Sequence, residues 1–271
     1  MNLSRRTFAK MGIAGTVAVG AAGLLSLPAC SDRQPSRIPA AAIRARSVVL
    51  VHGLYADGSS WIDVVPYLQA AGLNVAVVQN PLTTLTDAAA ETRRVLSQQP
   101  GPVVLGGHSW SGTLVSEVGI EPSVSALVYI AARAPDAHED FPALSKRFPT
   151  PPASAGVVVS PDGYAELDEA TFLRDFAGGV PAERARALCA VQGRNRSTLP
   201  AERTSVAAWR DKPSWYQVST QDRTIDPDLE RFLAQRMGAH TIELDTSHVS
   251  LITQPEQVAG LILAAAGIPQ G

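Results

Sequence analysis

With 271 residues, 45% of them hydrophobic, and a formal net charge of −2, the chain is long enough to bury the core of one full α/β domain. Its 23 basic and 25 acidic side chains leave no basic stripe to follow a phosphate backbone, which argues against nucleic acid as a partner. Two cysteines, Cys30 and Cys189, are too few for a disulfide framework.

The first predicted element is a targeting segment over residues 1–29. Ser4-Arg5-Arg6-Thr7-Phe8-Ala9-Lys10 precedes an uncharged, Gly/Ala-rich stretch from Met11 to Leu27, the pattern of a twin-arginine export signal. The stretch ends in Leu27-Pro28-Ala29-Cys30, similar to a lipoprotein cleavage box in which Cys30 becomes the lipidated first residue. Plain cleavage and release is the alternative. The expected location is therefore the periplasm or a lipid anchor at the cell envelope, with Cys30 the one membrane link. Cleavage ahead of Cys30 removes Arg5, Arg6 and Lys10, leaving 242 residues and a net charge of −5. Cys189 then reads as a buried apolar residue. Residues 30–45, rich in Ser, Pro, Ala and Arg, read as a flexible tether to a folded domain over 46–271.

Within that domain, short β-branched runs alternate with segments of helical period, the pattern of parallel βαβ units. Strands are predicted at 47–51, 74–79, 103–106, 126–131, 215–219 and 241–244, and helices at 61–71, 87–98, 112–119, 227–237 and 255–266. Asp226 before Pro227 and Gln254 before Pro255 are the expected helix caps. Residues 134–213 break the alternation with repeated prolines and short helix-like stretches near 169–176, 182–192 and 201–209. Such an insertion reads as a helical lid placed before the fifth strand, over the carboxyl edge where parallel sheets bind ligands.

The chemistry is carried by strand ends. Val103-Val104-Leu105-Gly106-Gly107-His108-Ser109-Trp110-Ser111-Gly112 is an apolar strand turning into a helix with Ser109 at the apex. It meets G-x-S-x-G except at the last position, where Ser111 precedes Gly112. A serine hydroxyl attacks only when held at an exposed bend beside a base and facing backbone N–H donors. Asp222 follows the predicted fifth strand and His248 the sixth, giving the order Ser, Asp, His, each at a strand's carboxyl end. His248 would take the Ser109 proton while Asp222 fixes its tautomer. Val51-His52-Gly53-Leu54 after the first strand supplies the second half of an oxyanion hole, the expected donors being the N–H groups of Leu54 and Trp110. His52 and His108 are read as structural. No histidine pair shows metal-ligand spacing, so neither a metal nor another cofactor is expected. Asp136 is the fallback acid.

Val49-Leu50-Val51-His52-Gly53, Asp57-Gly58-Ser59-Ser60-Trp61, Val78-Gln79-Asn80-Pro81-Leu82, Gly107-His108-Ser109-Trp110 and Ser247-His248 together resemble the α/β-hydrolase superfamily. Within it the chain is similar to the compact capped branch of bacterial pyrethroid-hydrolase-like esterases, plant methylesterases and hydroxynitrile lyases. The resemblance spans about residues 47–266 and implies an α/β-hydrolase fold and serine hydrolysis of a small or medium hydrophobic ester. Gly53 and Val249 stand where the lyases carry threonine and lysine, which favours hydrolysis. A small-molecule receptor of the same fold is the alternative from another class, with a lyase or cofactor-free oxygenase behind it. Tyr55, Trp110 and Trp209 are the candidate pocket aromatics, with Phe141, Phe148, Phe172 and Phe176 as apolar lid residues. Arg194, Arg196, Arg203 and Arg210 are a candidate anion-binding cluster.

Overall fold

The structure, a computed structural model, describes residues 44–269. The twin-arginine segment, Cys30 and nearly all of the tether lie outside these residues. The last tether residue, Ala45, is already buried and donates its N–H to Ala266 O, while Arg46 N bonds to Pro102 O.

In chain order the elements are β1 (Ser47–Val51), α1 (Val65–Ala70), β2 (Asn74–Val78), α2 (Leu85–Ser97), β3 (Val103–His108), α3 (Gly112–Val118) and β4 (Val124–Ile130). The insertion follows with α4 (Phe141–Ser145), β5 (Val157–Val159), β6 (Tyr164–Leu167), α5 (Glu169–Thr171), α6 (Ala182–Ala190) and β7 (Asn195–Arg196). The chain then returns through β8 (Ser214–Ser219), α7 (Pro227–Met237), β9 (His240–Leu244), α8 (Ser250–Thr253) and α9 (Pro255–Ala265).

The main sheet has six strands in the order β2-β1-β3-β4-β8-β9, every neighbouring pair parallel. Strands covered on both faces by helices need continuous apolar runs rather than alternation. Accordingly all residues of β1, β3 and β8 are buried, whereas the edge strands β2 and β9 are partly exposed. One apolar cluster, including Val49, Leu105, Leu114 and Tyr129, fills one face, and a second, including Val48, Leu50, Trp61 and Trp215, fills the other. Asp226 caps α7 as expected, accepting from the N–H groups of Asp228 and Leu229, but Gln254 makes no cap bond to α9.

Two features of the insertion depart from the sequence reading. It carries, beside its helices, a three-stranded antiparallel sheet in the order β5-β6-β7. Its hairpin turns through Pro161-Asp162-Gly163, where Gly163 sits at φ +84° and donates to Ser160 O. Proline presets the first turn residue and glycine takes the left-handed one, so Val157-Val158-Val159-Ser160-Pro161-Asp162-Gly163 was a readable hairpin signal. The helix expected at 201–209 is absent, and only single 3-10 turns stand at Leu199–Ala201 and Ala208–Arg210. Tertiary partners take the groups a helix would need: Ser205 N and Oγ bond to the Glu117 carboxylate at 2.7 and 2.8 Å, and Thr204 Oγ1 to Asp136 O.

Candidate active site

The candidate nucleophile is held by the backbone. β3 runs to His108, a single 3-10 turn covers Ser109–Ser111, and α3 starts at Gly112, forcing Ser109 to φ +57°. An L-residue in that region costs about 1–2 kcal/mol, which the flanking strand and helix must offset. A Cβ at Gly53 would lie 2.6 Å from Ser109 Cβ, so only glycine lets the loop after β1 close over the nucleophile.

The acid and the imidazole meet at the ends of β8 and β9. Asp222 Oδ2 accepts from His248 Nδ1 at 2.5 Å, while its Oδ1 accepts from the N–H groups of Thr224 (2.6 Å) and Ile225 (2.9 Å). These two amides fix the carboxylate and leave one oxygen for the ring. Since a carboxylate only accepts, Nδ1 carries a proton and Nε2 is the atom left to act as a base. His248 is fully buried, and its Nε2 has no hydrogen-bond partner among the described residues. The ring is wedged between His108, with centroids 4.6 Å apart, and Phe176 at 5.2 Å. His108 donates Nε2–H to His248 O at 3.0 Å, and burial followed by the neighbouring His248 pushes its pKa well below the usual imidazole range. It is a neutral prop, as the sequence suggested. Asp136, the fallback acid, faces away and pairs with Arg210.

Sequence reasoning missed Glu230. This carboxyl on α7 is fully buried and accepts Ser219 N–H through Oε2 at 3.0 Å, while its Oε1 has no hydrogen-bond partner among the described residues. Desolvation, then the charge of Asp222, raises its pKa well above the carboxylate range, which favours the protonated form. In a first helical turn it reads as a solvated acid; only the i, i+3, i+4, i+7 spacing with buried Leu233, Ala234 and Met237 signals its burial. Below the unfolded carboxyl pKa of about 4.3 both states hold the proton, and above it only the folded state pays to keep it. Stability should therefore drain as pH rises from that value toward the raised folded pKa. Glu230→Gln, whose uncharged amide can still accept Ser219 N–H, is expected to melt higher than the parent by a margin that grows from pH 5 to pH 9. A margin independent of pH would mean that Glu230 is ionised in the fold.

Ser111, the departure from the glycine pattern, is used by the fold. Its Oγ donates to His52 O and accepts from Asn80 Nδ2 at 3.3 Å. His52 in turn donates Nδ1–H to Gly53 O and accepts Asn80 N–H at Nε2, both at 2.9 Å. Burial lowers the His52 pKa, which suits this neutral tautomer. The network ties the elbow, the loop after β1 and the loop after β2 into one body, and it places Leu54 beside Ser109. Removing the hydroxyl with Ser111→Ala leaves a buried carbonyl and amide unpaired at a cost of about 1–3 kcal/mol. A fall in melting temperature of roughly 2–4 °C per kcal/mol is expected in calorimetry. An unchanged melt would show that the network is dispensable.

A cavity of about 360 Å³ opens between the strand ends and the insertion, and Leu54, Tyr55, Ser109, Trp110, Arg133 and Phe141 form its inner wall. Tyr55 and Trp110, two of the three candidate pocket aromatics, lie on this wall. Trp209, the third, does not line the cavity: it is buried, donates Nε1–H to Pro135 O at 2.8 Å and lies under Arg210 and Arg236. An indole needs a polar partner when buried, and the backbone turn after β4 supplies it. Of the other lid aromatics only Phe141 reaches the cavity, Phe148 packing on Phe232 and Phe172 on Phe176. The four arginines do not gather: Arg194 pairs with Glu166, Arg203 with Asp140 and Arg210 with Asp136, while Arg196 stacks on Tyr164.

Comparison with known proteins agrees with this architecture. Residues 48–261 match the family model described as the alpha/beta hydrolase family. No curated protein matches the sequence significantly. Among solved structures the chain is similar to polyneuridine aldehyde esterase, at 20% identity and a TM-score of 0.67 over 80% of this chain and 98% of that one. It is also similar to a pyrethroid hydrolase from Sphingobium faniae (19% identity, TM-score 0.66, 82% and 98% covered). A methylesterase from Arabidopsis aligns at 16% identity and a TM-score of 0.68 over 81% and 98%.

Proposed function

Because the chain belongs to the alpha/beta hydrolase family, we propose that it is a serine carboxylesterase with Ser109, His248 and Asp222 as its catalytic set. The observation that carries this reading is a serine at φ +57° on the cavity wall together with a buried imidazole, packed on the adjacent His108 at 4.6 Å between centroids, whose Nδ1 is held by Asp222 and whose Nε2 is left unpaired. No hydrogen bond yet joins Ser109 Oγ to that nitrogen, and such contacts commonly tighten only with substrate bound.

In the proposed reaction Ser109 Oγ attacks the ester carbonyl carbon as its proton passes to His248 Nε2. The charge on the carbonyl oxygen faces the N–H groups of Leu54 and Trp110, donors each worth roughly 10²–10³ in rate in comparable sites. Collapse breaks the carbon–oxygen bond, and the departing alcohol takes the proton from His248. Water, deprotonated by the same nitrogen, then releases the acid and restores Ser109. Asp222 holds the ring in the one tautomer that allows both transfers.

A fluorophosphonate probe tests the reading directly. An adduct on Ser109, located by mass spectrometry and missing from His248→Ala, is the expected result; a folded protein that stays unlabelled would favour a binding role for the same cavity. The N-terminal sequence supports a companion proposal, that the enzyme is exported by the twin-arginine route and anchored through lipid on Cys30. A Cys30→Ala chain recovered from the soluble envelope fraction, against a membrane-bound parent, is the outcome it requires.

A further inference from the structure

Among the described residues Arg133 is the only cation on the cavity wall. It directly follows the turn after β4, and its N–H bonds to Ser109 O at 3.0 Å, so the guanidinium starts one side chain away from the candidate nucleophile. One donor, Nη1, bonds to Pro200 O at 2.8 Å, and the guanidinium lies over the Phe141 ring at 4.8 Å. No carboxylate pairs with it among the described residues, and its remaining N–H groups have no hydrogen-bond partner there. Arg236, by contrast, pairs with the Glu139 carboxylate at 2.6 Å. The other charged residue of the wall, Asp226, caps the first turn of α7 through Oδ1 and makes no ion pair with Arg133. Desolvation lowers the Arg133 pKa to about 10, which leaves it a cation at neutral pH.

A half-buried guanidinium held in place by a backbone carbonyl and an aromatic face, with open donors beside a candidate nucleophile, is a receptor for an anion. We propose that Arg133 binds a carboxylate carried by the substrate itself, so that the enzyme takes esters with a free carboxylate in the acyl or the leaving part. The inference deepens the esterase reading and rests on it for the word substrate; the anion site stands on Arg133 alone. The carboxylate displaces the water on the guanidinium and orients the ester so that its carbonyl carbon faces Ser109. A neutral ester of the same size leaves the cation unpaired in a poorly hydrated cavity.

The test compares two matched pairs on the full chain. The charge lies in the acyl part for p-nitrophenyl hydrogen glutarate against p-nitrophenyl pentanoate, and in the leaving part for 4-carboxyphenyl butanoate against 4-methylphenyl butanoate. Binding is measured by calorimetry in the Ser109→Ala chain, which needs no turnover, and kcat/KM in the parent. In at least one pair the anionic ester should be favoured by about 10- to 100-fold, the range expected of one charge-assisted contact. Arg133→Met should erase that preference, and Arg133→Lys should keep part of it. Equal binding within both pairs, or a preference that survives Arg133→Met, overturns the proposal. The parent comparison decides the matter even where Arg133→Met fails to fold. Failure of the esterase reading looks different: anion binding persists in calorimetry while no ester is cleaved and Ser109 takes no fluorophosphonate.

Discussion

Ser109→Ala is expected to remove ester turnover almost completely, lowering kcat by roughly 10⁴–10⁶, the scale on which other triad nucleophiles act. The fold should not notice. Ser109 Oγ makes no hydrogen bond among the described residues, so its loss leaves none of their buried groups unpaired, and alanine has the same difficulty as serine with a φ of +57°. Melting temperature should stay within a degree or two of the parent, since surface-like changes with no broken contact rarely exceed about 0.5 kcal/mol. This combination separates a nucleophile from a structural elbow serine, whose removal would move stability and leave the rate alone. Residual turnover near the parental rate in a fully folded Ser109→Ala chain would end the assignment.

The elbow was legible because several constraints write it into adjacent residues: the β3 run must be apolar on both faces, and the residues around the nucleophile must be small. The same reasoning found β1 and β8, whose burial on both faces forces uninterrupted apolar sequence. Asp222 and His248 followed from position, since loops after strands in a parallel sheet gather at one edge. What escaped was anything decided by tertiary partners. Glu230 looks like a helix-start acid until α7 turns it onto Asp222. Trp209 looks like a pocket aromatic until Pro135 O claims its N–H. Arg133 carries no motif at all; only the cavity wall distinguishes it from an arginine such as Arg93, which pairs with Glu121 on the surface. Ser111 stood as a blemish in a pattern, and its hydroxyl proved to connect the loops on either side of the site.

Asp222→Asn should leave the architecture standing and still cost about 10⁴ in kcat, by analogy with the same change in a serine protease. The reason lies in which atoms carry protons. Asp222 Oδ1 is occupied by the N–H groups of Thr224 and Ile225, so in asparagine the carbonyl oxygen must take that position and the NH₂ must point at His248 Nδ1. Nδ1 then has to accept, the proton moves to Nε2, and the nitrogen that should receive the Ser109 proton already holds one. Geometry is preserved while the base is lost, so the variant should bind anionic and neutral esters as the parent does. Glu230 adds an independent mark: without the negative charge of Asp222 beside it, one of the causes that keep its proton on is removed. The alkaline loss of stability attributed to Glu230 should therefore shrink in Asp222→Asn. Asp136→Asn, on the surface with Arg210, should change neither rate nor pH dependence. If instead the Asp136 variant were the inactive one, the acid of the triad would have to be sought after β4 rather than after β8.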